Sequence, residues 1–98
     1  MGVLALKVSK LNGMSVITAD AFTLGEVDGS QASTETWDIT HLDVALTKDA
    51  TRELGFKKPT LGSVTICLPV SAIKKVGDVI TLSFTLMAFK ELKECQIE

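Results

Sequence analysis

The stretch 35-ETWDITHLDVAL-46 is the most informative part of the chain, because its apolar residues change phase halfway along. Trp37 and Ile39 fall on one side of an extended strand, whereas Leu42, Val44 and Leu46 fall on the other. Both sets can face one core only if an extra residue is inserted between Ile39 and Leu42. A β-bulge does this, and it also bends the strand. The stretch therefore predicts a bent, bulged strand.

Two later segments, 63-SVTICL-68 and 80-ITLSFTL-86, alternate polar and apolar residues without interruption, and the second lies within a long predicted strand over residues 79–87. This is the pattern of a strand with one buried face. A second phase shift separates Leu24 from Val27, with Gly25 between them, and such irregularities let strands bend around a small barrel. We expect the clean alternation to supply these core residues: Val64, Ile66, Leu68, Ile80 and Leu82.

Turn and helix signals separate the strands. Asn12-Gly13 favours a tight turn, and Asp28-Gly29 favours either a turn or another bulge. Thr47 is a suitable N-cap for a short helix over residues 48–54, and Gly55 is suited to the left-handed position after its end. The patterns together predict a mainly β protein: a small closed or partly open β-barrel of about six strands with one short helix.

Three motifs resemble the PRC-barrel family, and they occur in family order. They are 11-LNGMSVI-17, 24-LGEV-27 and 68-LPVSAIKKVGDVI-80, of which the last is the most distinctive. The resemblance covers about residues 5–83 of a single domain spanning 1–98, and an arm over residues 84–98 lies beyond it. It implies a small, mostly antiparallel β-barrel of the stand-alone archaeal type, with docking roles.

Charge and composition disfavour several classes of function. The net charge is −2 and the pI is about 5.3, whereas a nucleic-acid-binding protein normally has a basic excess. The pairs Lys57-Lys58 and Lys74-Lys75 form either a local basic patch or, as we expect, solvated loop charge. The longest uncharged run, 59–73, is too short to span a bilayer. We expect no membrane insertion and no direct contact with nucleic acid.

The cysteines and the missing targeting signals predict a location. Cys67 and Cys95 lie far apart with no CxxC motif, so we expect reduced thiols. No targeting segment is evident in the sequence. Both observations favour the cytoplasm.

Candidate chemistry is sparse. His41 is the single histidine, and Asp43 at i+2 points the same way on a regular strand. A metal site would need three or four ligands, and Cys67 is the one further candidate at a strand position. We therefore expect His41 to be a polar strand residue, with no metal, no cofactor and no enzymatic activity.

Three residues are candidates for an interface: Trp37, Met87 and Phe89. We expect Trp37 to share the core with Ile39; the alternative is that the bulge leaves it outside as a docking aromatic. Met87 and Phe89 extend the polar side of the last predicted strand, where apolar residues either mark an interface or pack over a barrel end. Poorly protected strand edges and this arm favour a homodimer formed through the arm.

The sequence therefore predicts a non-catalytic docking or assembly module that binds a protein partner. The alternative is an accessory protein of RNA processing or ribosome assembly that acts through a ribosomal protein, which the acidic pI permits.

Overall fold

The computed structural model describes residues 8–56 and 62–89. These residues form a single six-stranded sheet with one short α-helix and three 3-10 turns. The strands are β1 Ser15–Ile17, β2 Thr23–Ala32, β3 Ile39–Leu46, β4 Thr65–Pro69, β5 Ile73–Val76 and β6 Ile80–Leu82. The helix is α1 Lys48–Glu53, and the 3-10 turns are Val8–Leu11, Val70–Ala72 and Leu86–Phe89. The predicted mainly β fold with one short helix is confirmed.

The strand order in the sheet is β4-β3-β2-β1-β6-β5. β1 and β6 run parallel, and the other neighbouring pairs are antiparallel, so the sheet is mixed. Within the described ranges, no pairing joins β4 to β5. The sheet is therefore open, and the closed form of the predicted barrel is not observed.

The sheet is nevertheless strongly curled, because its two edge strands are joined by a very short connection. Three residues, Val70–Ala72, lead from the end of β4 to the start of β5. In a flat sheet of six strands the outermost strands would lie about 24 Å apart, at roughly 4.8 Å per neighbour. Three linking residues span only about 14 Å at full extension. The two edges must therefore come close together around one core.

The predicted bulge in β3 is confirmed at Thr40. Gln31 pairs with His41 and Ala32 pairs with Ile39, so Thr40 is the extra residue. It restores the phase, and Ile39 packs half-buried against the same core as Leu42.

β2 contains two further irregularities. Asp28 is an extra residue against β3, because Val27 pairs with Val44 and Gly29 with Asp43. Leu24 is an extra residue against β1. At Asp28-Gly29 the structure therefore has the bulge and not the turn, and the irregularity predicted between Leu24 and Val27 lies at Leu24; both let the long strand bend across the curled sheet.

The five predicted core residues are all buried, with exposures between 0% and 3%. The predicted strand 79–87, however, is too long, because β6 ends at Leu82. Beyond it the backbone makes single contacts with other segments: Ser83 N donates to Ala72 O, and Ala19 N donates to Phe84 O. These bonds replace a regular ladder, and the chain then turns into the 3-10 segment Leu86–Phe89.

The short helix forms as predicted. The Thr47 hydroxyl accepts a hydrogen bond from Ala50 N at 3.0 Å, which caps the N-terminus. At the other end Gly55 has a φ of +80°, and its N–H donates to Arg52 O. Phe56 N donates to Thr51 O, which completes a Schellman motif.

Candidate functional site

The most exposed aromatic side chain that the structure describes lies at the end of the β2–β3 hairpin. Residues 33–38 connect the two strands, and we call them the tip loop. Ser33 N donates to Asp38 O at 2.9 Å, and Trp37 N donates to Ser33 O at 2.7 Å. Glu35 N bonds the Ser33 hydroxyl, and Asp38 N bonds the Thr36 hydroxyl. The loop therefore has an ordered conformation that its own residues maintain.

Trp37 is held in that loop with its side chain 77% exposed. Its φ is +60°, in the left-handed region that bulky residues rarely occupy. The prediction that Trp37 belongs to the core is wrong, because the residue lies in the turn and not on the strand. A non-glycine residue in this region costs of order 1–2 kcal/mol. The loop bonds offset this cost and hold the backbone of Trp37 in the turn, outside the core.

The position of the tip loop in the sheet explains the exposure. β1 pairs with β2 only as far as Glu26, and β4 pairs with β3 only as far as His41. The hairpin continues beyond both neighbours, so no described strand covers its end. The sequence signal for this loop is limited to Ser33 and Asp38, whose side chains favour turns, because threonine is itself common in strands.

The tip loop is also acidic. Glu35 and Asp38 flank Trp37, and both are exposed. The nearest lysine or arginine in the sequence is Lys10 on one side and Lys48 on the other. Within the described residues neither carboxylate forms an ion pair. The loop therefore presents one large apolar group between two solvated negative charges.

The second predicted interface region begins beside the β1–β2 turn. Met87 is 66% exposed, and Phe84 is 48% exposed. Leu86 is half-buried and packs against the core. Phe89 ends the 3-10 turn, but its side chain and residues 90–98 lie outside the described part of the chain. The exposed position of Met87 is compatible with both alternatives for this arm, an interface or packing over a barrel end.

Asp20 fastens the start of this arm to the β1–β2 turn. Its carboxylate accepts hydrogen bonds from the hydroxyl of buried Thr18 and, at 3.2 Å, from Leu86 N. The Thr18 hydrogen bond is the main cause that lowers the pKa of Asp20 below its ordinary value of 3.8, and the Leu86 N–H acts in the same direction. Asp20 therefore connects two segments that are distant in sequence.

The two exposed regions lie at opposite ends of β2. Leu86 is bound to Asp20, which precedes β2, whereas Trp37 follows the end of β2. A ten-residue strand spans roughly 30 Å. Trp37 and Met87 therefore belong to separate surfaces rather than to one continuous patch.

The predicted metal candidates occupy the outward side of β3 and β4. Asp43 Oδ1 accepts a 2.8 Å hydrogen bond from Gln31 Nε2, and Cys67 is its register partner on β4. His41 Nδ1 lies 3.0 Å from the Thr40 hydroxyl, and it is not a partner of Asp43 in this pair of contacts. Among the described residues, no group of three or more His, Cys, Asp or Glu side chains is placed to hold a metal ion.

Cys67 is disulfide-bonded, so the expectation of a reduced thiol at this position is wrong. The second cysteine of the sequence, Cys95, lies outside the described residues. A disulfide sulfur has no proton to donate. The 3.7 Å approach of Cys67 Sγ to Asp43 Oδ1 is therefore a contact, whereas the 3.0 Å interaction with Gln31 Nε2 is one in which sulfur accepts.

No family model matches the chain, and no curated protein matches it. The PRC-barrel resemblance therefore stays a prediction from three motifs. In the part of the chain that is described, no helix is long and apolar enough to cross a membrane.

Proposed function

We propose that this chain is a non-catalytic docking or assembly module that contacts a protein partner through exposed apolar side chains. The observation that carries the proposal is Trp37, 77% exposed at the end of an ordered loop. An indole buries a large apolar area when it enters a pocket, and tryptophan is among the residues most enriched at binding hot spots. The backbone of the turn is already ordered and an indole has only two side-chain torsions, so little conformational freedom is lost on binding.

The PRC-barrel resemblance supports the same proposal. Its known roles are docking roles, and the motifs lie in strands and turns that form the curled sheet. The short Val70–Ala72 connection supports the finer proposal that the curled sheet approaches a closed barrel. Because one fold can host several functions, the resemblance is an analogy, and the docking role depends on the tip loop.

A comparison of captured proteins tests the docking role. Tagged wild-type protein, Trp37→Asn and Met87→Ala are used as baits in extracts of the native cell, with quantitative mass spectrometry. Asparagine tolerates a left-handed φ, so Trp37→Asn removes the indole and preserves the turn. We expect a partner that the wild type and Met87→Ala retain and Trp37→Asn loses. Equal recovery with all three baits would contradict a role for Trp37.

The same experiment distinguishes the alternative function. Recovery of a ribosomal protein that depends on Trp37 would favour the accessory protein of RNA processing or ribosome assembly. The acidic tip loop disfavours direct contact with RNA phosphates, because Glu35 and Asp38 would face like charges.

The predicted homodimer through the arm is a separate part of the proposal. The support for it is the exposure of Met87 at 66% on the 3-10 turn that ends at Phe89. Light scattering at micromolar concentration gives the mass. A monomer mass of 10.5 kDa would exclude the dimer. A dimer that survives deletion of residues 88–98 would exclude the arm as its interface.

The cytoplasmic location also stays a proposal. The disulfide at Cys67 counts against a reducing compartment, because such compartments keep most thiols reduced. Cell fractionation with trapping of free thiols at lysis measures both the compartment and the redox state of Cys67. Recovery outside the cytoplasm would contradict this part of the proposal.

A further inference from the structure

We propose that the tip loop of one copy docks on the exposed β5 edge of a second copy, so that the chain recognises itself head to tail. This inference rests on the proposed docking role of Trp37, and it names the surface that receives the indole. Two observations support it: an uneven distribution of charge along the chain, and exposed apolar residues beside exposed lysines at the β5 edge.

The charge distribution separates the chain into an acidic segment and a basic remainder. Residues 11–47 contain six carboxylates and no lysine or arginine, which gives a net charge of −6. The rest of the chain contains all ten lysines and arginines and the other six carboxylates, which gives +4 and accounts for the total of −2. The acidic residues are Asp20, Glu26, Asp28, Glu35, Asp38 and Asp43. Two copies therefore attract each other when the β2–β3 hairpin of one approaches the basic part of the other.

The receiving surface lies on and beside β5, at an edge of the sheet. Val70 and Val76 are 36% and 41% exposed, and Lys74 and Lys75 are exposed between them. We call these four residues the basic edge. Asp78 follows in the next turn and offsets one of the two positive charges. The basic edge thus has exposed apolar groups and a net positive charge. The tip loop also has an exposed apolar group, but its net charge is negative.

The two surfaces are complementary in chemistry. The tip loop has one large apolar group between carboxylates, and the basic edge has two small apolar groups around two ammonium groups. Exposed ion pairs contribute little free energy individually, but they select the partner and its orientation. The indole supplies the apolar area.

The contact is expected to use side chains and not strand addition. Lys74 is an extra residue in β5, since Ile73 pairs with Leu82 and Lys75 with Thr81. A bulge and lysines on an edge strand both oppose the pairing of a further strand.

The contact joins two different surfaces of the chain, so a single contact between two copies leaves one tip loop and one basic edge for a second contact. It therefore differs from a two-fold dimer through the arm. A variant without the tip indole and a variant without the basic edge can still form one complete contact with each other. A mixture of two such variants therefore tests the inference.

The test follows the indole N–H signal by NMR, which is unique because the chain has one tryptophan. Labelled Lys74→Glu/Lys75→Glu protein has an intact tip loop, and unlabelled Trp37→Asn protein has an intact basic edge. We expect the indole signal to shift and broaden on titration, and to return towards its free position at about 1 M salt, where the Debye length is about 3 Å. An unlabelled Trp37→Asn/Lys74→Glu/Lys75→Glu protein, which lacks both surfaces, should cause no shift.

Two further titrations sharpen the result. Unlabelled Trp37→Asn/Lys48→Glu protein has a charge reversal on α1 instead of on the basic edge, and it should still shift the indole signal. Labelled Glu35→Lys/Asp38→Lys protein has a basic tip loop, and unlabelled Lys74→Glu/Lys75→Glu protein has an acidic β5 edge. Mixing the two should restore the shift of the indole signal, because the charges are again opposite. Dispersed spectra check that every variant folds.

An indole signal that stays in place, or that moves equally with the protein lacking both surfaces, overturns the inference. Loss of a captured partner in Trp37→Asn together with an unmoved indole signal would retain the docking function and overturn self-recognition alone. A shifted indole signal without any Trp37-dependent partner in extracts would retain self-recognition and limit the docking function to it.

Discussion

The β2–β3 hairpin has apolar residues at both its base and its tip, but those at the base are buried and the one at the tip is exposed. At the base, Val27 and Val44 pair across the strands with exposures of 3% and 0%. Gly25 lies so close to β3 that a Cβ atom there would be 2.1 Å from Ala45 O. At the tip, Trp37 is 77% exposed in an ordered loop. One hairpin therefore provides both part of the core and the most exposed aromatic group among the described residues.

The comparison shows that the neighbours of a strand decide which of its apolar residues are buried. The base lies between β1 and β4, which cover it on both sides in the sheet. The tip extends past the last residues that pair with either strand, Glu26 and His41. If this interpretation is correct, substitutions at the base reduce stability and substitutions at the tip reduce binding.

The largest effect is expected for Gly25→Ala. The new methyl group would overlap a backbone carbonyl, which can move only if the β2–β3 ladder moves. We expect a loss of about 3 kcal/mol or more in the free energy of unfolding, because overpacking against backbone has no cheap relaxation. Chemical denaturation measures it. Gly77→Ala is the matched control, since no atom lies within 4 Å of its Cβ position; equal effects would contradict the close approach.

Ile66→Ala tests the same end of the hairpin through its neighbour β4. Ile66 is fully buried and lies opposite Val44. Truncation of such a residue costs about 2–5 kcal/mol through lost burial and the remaining cavity. The control is Val76→Ala on the exposed edge, which should stay within about 0.5 kcal/mol of wild type. A loss at Ile66 as small as at Val76 would show that the inward face of β4 is assigned wrongly.

Trp37→Gly should have little effect on stability, in contrast to both core substitutions. The exposed indole contributes little packing, and glycine relieves the left-handed φ of +60°. We expect the free energy of unfolding to stay within about 0.5 kcal/mol or to rise by up to about 1 kcal/mol. Thermal and chemical unfolding check this. Ile39→Ala, two residues later but packed on the core, should lose about 1–2 kcal/mol. A larger loss at Trp37 than at Ile39 would contradict the exposed tip.

The smallest effect concerns Asp20, which lies before the base of the hairpin. Its pKa is lowered in the folded state, chiefly by the Thr18 hydrogen bond, so folding favours the carboxylate. The stabilisation is complete above the ordinary pKa of 3.8 and is lost as the pH falls below it towards the folded pKa. We expect Asp20→Asn to flatten the decline in stability below about pH 4. An unchanged acid profile would show that folding does not favour the Asp20 carboxylate.

A substantial part of the fold follows from local sequence patterns. The alternation in 64-VTICL-68 predicts the inward face of β4, because a strand can bury every second residue only on one side. The phase change between Ile39 and Leu42 predicts a bulge, which the structure locates at Thr40. Thr47 and Gly55 predict both ends of α1, because capping depends on residues within a few positions of the helix end.

Other features depend on contacts between distant segments. The sequence continues to alternate to Leu86, yet β6 ends at Leu82; beyond it the backbone bonds Ala72 and then Ala19 instead of a continuing strand. The parallel pairing of β1 with β6 and the curl imposed by Val70–Ala72 are likewise properties of the assembled sheet.

Trp37 shows most clearly what local patterns leave open. By itself the sequence determined that Trp37 and Ile39 share one side of an extended strand and that a bulge follows them. Only the tertiary structure decided that the strand begins at Ile39, that Trp37 lies in the preceding turn, and that no described strand reaches far enough to cover it. The physical reason is that alternation fixes the direction of a side chain, whereas burial requires a neighbouring segment on that side.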